Sequence, residues 1–452
     1  MEENFDITVL ELTNWIKQKE YKNIRTFFDE TNIVDGALLV DELATEDLLH
    51  LFKIVRKDVG AEIISYLDSD TIERLTYNLN SSQIQILLEE MYSDDLNEIL
   101  SELPEALVTK VLQAASPEMR KQINEFLSYE PNSCGSIMSV DFVTIRDSYT
   151  VAQAMRAIRR QGKLAETINW CYVVDDDKGL LGSISLKDIL FAKDEVPVVE
   201  IMDHDVYYVF THDDQEEAAR LISKYDTTCI PVIDSTKKVL GIITVDDIFD
   251  VVEEEATEDI HKMAAMSPLE GSYVESSIKS IVKSRLPWLM VLMISATFTG
   301  TIIANNHALL ILLPSLAIFI PMLMDTAGNA GSQASAMVIR GLIVDDMSIR
   351  DFFRILFKET QVSILLGIAL FVINTLRIGI FMPDVGWGIA IMVSLTIFLT
   401  IILANLVGGS LPLLAIILKQ DPASMAAPMI TTLVDALSLT AYFFIASMFL
   451  KL

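Results

Sequence analysis

Five runs of about twenty mostly apolar residues follow one another between Leu286 and Leu450, which is the length and spacing of membrane-spanning helices. They are Leu286–Ala304, Ala308–Met324, Gln361–Met382, Gly388–Leu418 and Ser424–Leu450. A buried helix of a soluble protein could explain any one of them, but not five in succession. Only Asn374 and Arg377 interrupt the third, and the fourth, broken by Gly408, Gly409 and Pro412, reads as one kinked span. Charge divides the chain at the same place. Residues 1–280 carry 55 acids and 25 bases, and the remainder carries 8 and 9. A soluble polyanion therefore precedes a nearly neutral membrane domain. Such a surface repels nucleic acid and concentrates cations, so divalent cations and the lipid bilayer are the expected partners and nucleic acid is not.

The bases fix an orientation. Lys279, Lys283 and Arg285 precede the first run, Arg340, Arg350, Arg354 and Lys358 lie between the second and third, and Lys419 lies between the fourth and fifth. Five spans put all of these on one side, the cytoplasm, together with the acidic half. Lys451 and Leu452 then fall on the extracytoplasmic side of the cell membrane. The opening MEENFDITVL lacks the apolar stretch of a signal peptide. Cys134, Cys171 and Cys229 show no metal-ligand spacing and suit a reducing compartment. With no P-loop, nucleophile elbow or His/Cys cluster, an enzyme is the least expected outcome.

Polar groups within spans are expensive and default to function. Asp435 lies mid-span in TTLVDALSLTAYFF, and Asp325 closes the second run in IFIPMLMDTAGNAGSQ. Gly328, Asn329 and Gly331 invite an unwound backbone at membrane depth, tolerated only where it lines a water-filled path or is buried in protein. Freed carbonyls, the Asn329 amide and a carboxylate are hard oxygen ligands of the kind that hold a hydrated Mg2+. The competing readings are a hydrogen-bonded packing carboxylate for Asp435 and small-residue helix packing for the glycine stretch.

The acidic half has its own organisation. LATEDLLHLFKIV, SDTIERLTYNL, SDDLNEILSEL and SPEMRKQINEFL recur roughly every 20–25 residues, each opening on a Ser, Thr or Asp able to cap a helix. An all-α superhelical domain over residues 1–130 is expected. An internal repeat follows: IMSVDFVTIRDSYTVAQAMRAI (137–158) returns as IMDHDVYYVFTHDDQEEAARLI (201–222), and CYVVDDDKGLLGSISLKDIL (171–190) as CIPVIDSTKKVLGIITVDDIF (229–249). This resembles a tandem pair of α/β CBS domains, over 131–198 and 199–256, for which ATP is a candidate ligand. VDDIFDVVEEEATEDIHKM (245–263) then places Asp247, Asp250, Glu254 and Glu258 on one helix face. Like charges at that spacing repel, and bridging divalent cations would relieve them.

In this order the segments resemble the MgtE magnesium channels over essentially the whole chain. YEPNSCGSIMSVDFVTI, GIITVDDIFDVVEEEATEDIHKM, FIPMLMDTAGNAGSQASAMVIRGL and DPASMAAPMITTLVDALSLTAYF carry the resemblance. It implies a homodimer with a pore between the protomers, an acidic connecting helix over 257–282 that plugs it, and a five-helix pore domain over 283–452. It implies an ion-selective acid at Asp435, with Gly328 and Asn329, beside Asp325, lining the path. It implies regulatory Mg2+ at Asp94, Asp95, Glu216, Asp226, Asp247, Asp250, Glu255, Glu258 and Asp259. Two departures stand out. Ala327-Gly328-Asn329 replaces the usual Gly-Gly-Asn, and ANNHALLI lacks the acid that often precedes the second span. A gradient-coupled carrier of Mg2+, Mn2+ or Co2+ and a non-transporting CBS sensor scaffold are the alternatives to a channel that admits Mg2+ to the cytoplasm.

Overall fold

The computed structural model describes residues 8–268, 273, 276–344, 347–425 and 427–450. Lys451 and Leu452, expected outside the cell, lie beyond the described residues. The chain forms two compact units, residues 1–252 and 253–452.

Ten short helices, α1 (Val9–Gln18) to α10 (Pro117–Phe126), open the first unit among the described residues. Each buries one apolar stripe, and Leu12, Ile24, Leu48, Leu51, Leu75, Leu96 and Ile123 form the shared core. The expected caps are only partly as read. Ser116 accepts from the Met119 N–H ahead of Pro117 at the first helical position. Thr45, Ser69 and Ser93 instead lie one residue inside their helices, after Ala44, Asp68 and Tyr92. Two of these hydroxyls serve longer-range contacts: Ser69 Oγ donates to Glu102, and Ser93 Oγ accepts from the Val140 N–H at 2.8 Å.

A one-turn helix, α11 (Cys134–Ile137), leads into the repeat. Its first copy is β1 (Thr144–Arg146), α12 (Val151–Gln161), β2 (Trp170–Val174), β3 (Leu180–Ser185) and α13 (Leu186–Phe191). The second is β4 (Val209–Phe210), α14 (Gln215–Tyr225), β5 (Cys229–Ile233), β6 (Val239–Thr244) and α15 (Val245–Met263). Each copy builds a three-stranded sheet with one parallel and one antiparallel pairing. The likeness extends to the turns. Lys178 and Lys237 both adopt φ 66°, and Asp175 and Asp234 each accept two backbone N–H groups of their own turn. Gly182 and Gly241 are equivalent too: a Cβ there would stand 2.6 Å from the Asp203 carbonyl oxygen and 2.7 Å from that of Ser139.

The second unit holds α16 (Ile278–Asn305), α17 (His307–Leu312), α18 (Ile320–Val344), α19 (Phe352–Phe381), α20 (Trp387–Ile417) and α21 (Ala427–Leu450). Four described helices, α16, α19, α20 and α21, are long and apolar enough to cross a membrane. The expected second span is corrected. Ala308–Met324 is not one helix but α17, a 3-10 turn over Pro314–Phe319 and the start of α18. Pro314 forces the break, because it has no N–H to continue a helix. At 25 residues α18 is still long enough to span, but its polar face dilutes its hydropathy.

The expected unwinding at Gly328, Asn329 and Gly331 is also corrected, since α18 runs through all three. Its glycines serve close packing. A Cβ on Gly408 of α20 would collide with the Gly331 carbonyl oxygen, and one on Gly331 would stand 3.1 Å from that of Ala404. Small residues drive helix association where lipid offers no hydrophobic contrast. Gly408→Ala is therefore expected to cost at least about 2 kcal/mol, read as a lower thermal midpoint in detergent. An unchanged midpoint would rule out the α18–α20 contact as a stability determinant. Asn374 and Arg377 of α19 also have a structural role. Asn374 donates to Ser394 Oγ of α20 at 2.9 Å, and Arg377 donates to Asn374 Oδ1.

Candidate metal centre and ion path

Three carboxylates from three segments converge in the first unit. Asp94 stands in the first turn of α8 (Ser93–Glu102). Glu166 lies in the loop between α12 and β2, its backbone N–H donating to the Asp141 carbonyl at 2.9 Å. Asp247 opens α15, its Oδ2 accepting from Thr244 N–H at 3.2 Å and Thr244 Oγ1 at 2.7 Å. One oxygen from each lies within 4.8 Å of the others. Asp141 also accepts from the Ser93 N–H at 3.0 Å, and Asn97 donates to the Ser136 carbonyl. These bonds clamp α8 against the repeat and leave Asp94 little freedom to withdraw.

The electrostatics are those of a cation site. Burial pushes the Asp94 carboxyl well above its ordinary range, and the charges of Glu166, Asp247 and Asp95 push it further. Glu166 is raised by burial against the pull of the Ser139 and Thr244 hydroxyls. Asp247 reaches about 7, through burial and then the nearby Glu166 and Asp246, although its hydrogen bonds to Thr244 oppose the shift. No N–H or hydroxyl donor reaches the buried Asp94 Oδ1 and Glu166 Oε2, and the two carboxyls stand close enough to share a proton when no cation is bound. Orphaned buried carboxylate oxygens are costly, and hard oxygens of this kind suit Mg2+.

A pH dependence follows. An acid whose folded pKa is raised binds more protons folded than unfolded, so stability falls as pH rises from the unfolded towards the folded pKa. In chelator the chain is expected to lose stability between about pH 4 and 7, by on the order of 4 kcal/mol through Asp247. Mg2+ at pH 7.5 should restore most of it. Thermal melts across pH, with and without Mg2+, check this, and a metal-free midpoint that rises over that window would contradict it.

The other acids divide. Asp95, raised mainly by burial, accepts from Ser65 Oγ at 2.8 Å and feels the charge of Asp246. Burial raises the Tyr66 phenol, and the charges of Asp95, Glu62, Asp246 and Asp250 raise it further. Glu216 and Asp226 are exposed near opposite ends of α14, about 15 Å apart along its axis, too far to share one ion within a protomer. Glu255, Glu258 and Asp259 lie on the second half of α15. Asp259 is pushed up to about 6 by burial and by Asp421, against the pull of Lys262. Glu166 and Asp246 escaped the sequence reading. The strand registers make Cys171 the counterpart of Ile230 and not of Cys229, so the repeat read from the sequence is out by one residue there and carries no mark at Glu166.

In the second unit, Asp325, Asn329 and Gln333 repeat every fourth residue along α18 and are exposed. They form a polar stripe on a bundle whose other open faces are largely apolar. Gly328 brings α21 against α18, a Cβ there standing 3.1 Å from Thr431 Cγ2. One turn beyond Thr431 is Asp435, half-buried and within range of the Asp325 charge.

Comparison with known proteins gives this arrangement its relatives. Residues 320–445 match the MgtE divalent cation transporter family, 31–132 the MgtE intracellular N domain, and 134–195 and 198–254 the CBS domain. The chain is 33% identical to the magnesium transporter MgtE of Thermus thermophilus over the full length of both. The chain belongs to the MgtE family. A Bacillus subtilis MgtE is 34% identical over 92% of this chain and 94% of its own. Among solved structures, the soluble part of a magnesium transporter aligns with a TM-score of 0.52 at 32% identity, covering 55% of this chain and 98% of its own. The cytosolic domain of the Mg2+ channel MgtE in complex with ATP aligns with a TM-score of 0.51 at 32% identity, covering 54% and 99%. MgtE is a family of transporters rather than of enzymes, and its helical domain, CBS pair and helical C-terminal region are the fold found here.

Proposed function

We propose that this chain carries Mg2+ into the cytoplasm through the cell membrane, as a homodimer with the pore between protomers. The observation that carries this reading is the stripe of Asp325, Asn329 and Gln333 with Asp435 beside it. A polar face costs free energy against lipid and becomes favourable when a second copy encloses it around water. Asp435 supplies the charge that selects a cation, and the Asn329 amide and Asp325 hold its water shell. Gly328 sets the helix spacing. The N-terminus is cytoplasmic, and with five spans the C-terminus is outside.

The acidic half is the sensor. Without divalent ions, Asp94, Glu166 and Asp247 repel one another, as do Asp95, Asp246 and Asp250 around Tyr66. Mg2+ at these groups, at Glu255, Glu258 and Asp259, and at Glu216 and Asp226 across a protomer boundary, favours the compact state, in which the acidic helix closes the pore. Shifting such an equilibrium from 1:99 to 99:1 takes roughly 5.5 kcal/mol, which several weak sites supply together. ATP binds the CBS pair and biases the same equilibrium. The test is Mg2+ flux through proteoliposomes at set Mg2+ on the cytoplasmic face. Flux should fall at least about tenfold from chelator to millimolar Mg2+, and equal flux at both would overturn the sensor assignment.

A further inference from the structure

Lys262, in the last turn of α15, joins two elements at once. Its Nζ lies 2.5 Å from Glu258 Oε1, one turn back on the same helix, and 2.7 Å from Asp421 Oδ2. Asp421 sits between α20 and α21, where its other oxygen accepts the Ala423 N–H at 2.7 Å. The three side chains are only 25–34% exposed, so water screens the pairing weakly. The helix end is fixed as well. Ala265 turns the chain at φ 53°, the Met266 N–H donates to the His261 carbonyl, and Ser267 N–H donates to the Ser284 carbonyl of α16 at 3.2 Å.

We propose that Lys262 is a built-in cation that holds the end of the acidic helix on the α20–α21 connection without any metal. A single ammonium cannot neutralise the three carboxylates gathered there, Glu258, Asp259 and Asp421. The group keeps a net negative charge, and a divalent cation tightens a contact that Lys262 has already made. Burial would lower the Lys262 pKa, but its bonds to Asp421 and Glu258 more than reverse this, so the tether is charged throughout the physiological range. Lys262 thus acts as a positioning residue for the closing helix. Its effect on flux rests on the transport reading above; the ion pair itself does not.

Two measurements test this. With chelator on the cytoplasmic face alone and Mg2+ on the other, Lys262→Met should raise Mg2+ flux about threefold over wild type, with flux at saturating cytoplasmic Mg2+ unchanged. The charge-swapped pair Lys262→Glu with Asp421→Lys should return it towards the wild-type value, which a purely steric role would not. Separately, thermal midpoints in chelator for Lys262→Met, Asp421→Asn and the double variant form a cycle that needs no transport. The double variant should melt close to the single variants rather than at the sum of their losses. Additive losses overturn the proposal, as does a raised flux that the charge swap leaves raised. A wild type that conducts no Mg2+ removes the transport reading and leaves the melting cycle to decide the ion pair.

Discussion

Asp247→Asn is expected to raise the thermal midpoint of the metal-free chain and to shrink the stabilisation that Mg2+ provides. Both effects have one cause. Asp247 is half of the hydrogen-bonded start of α15, and its other neighbours are repulsive: Asp94 and Glu166, within 4.8 Å. An amide at 247 removes the cost of ionising a buried carboxyl beside two others and takes a ligand from the metal-bound fold. For wild type, a ligand at 100 times its Kd stabilises by about 2.7 kcal/mol, worth roughly 5–10 °C in a unit of this size. The variant should retain less than about half of that gain. Glu73→Gln, an exposed acid on another helix, should change neither quantity. A variant that melts lower in chelator and keeps the full Mg2+ gain would show that these acids are a structural network rather than a cation site.

The second large effect concerns the membrane domain. Asp435→Ala should reduce Mg2+ flux by about 100-fold or more, while Asp325→Asn should cost about tenfold. A dehydrating divalent cation gains far more from a fixed carboxylate in a confined path than it would in bulk water, and each 1.4 kcal/mol lost is a factor of ten. Asp435 is half-buried on α21 beside α18, whereas Asp325 is exposed on α18, hence the ranking. Stability should respond in the opposite direction, since removing a half-buried carboxylate lowers a desolvation cost. A flux loss caused by misfolding would come with a lower melting point; a loss caused by the missing ligand would not.

What could be read before folding follows physical lines. Apolar length marked four of the long membrane helices, because their cost in water leaves no alternative. The repeat was legible as two copies of strand, helix and strand pair, while its exact register, which makes Asp175 and Asp234 equivalent, came from the strand pairing. The start of the second span was misplaced because Ala308–Met324 is almost entirely apolar, and only Pro314 and Pro321 hinted at the break. The glycines of α18 were read as unwinding signals, yet glycine serves close helix packing equally well, and which use applies depends on Gly408, some eighty residues away in sequence. Among the acids, those on α15 were visible through helical periodicity. Glu166 was not, because its role depends on a loop meeting α8 and α15, a long-range arrangement with no local pattern. Glu216 and Asp226, implied only by the family resemblance, lie near opposite ends of α14.

The most direct test of the proposed ion path is Mg2+ uptake into proteoliposomes holding the purified chain, with Mg2+ as the only gradient, alongside Asp435→Ala. Rapid uptake by the wild type is expected, with loss of uptake in the variant while its fold stays intact. Equal uptake by both would contradict Asp435 as the ion site, and no uptake by the wild type would contradict a passive Mg2+ path.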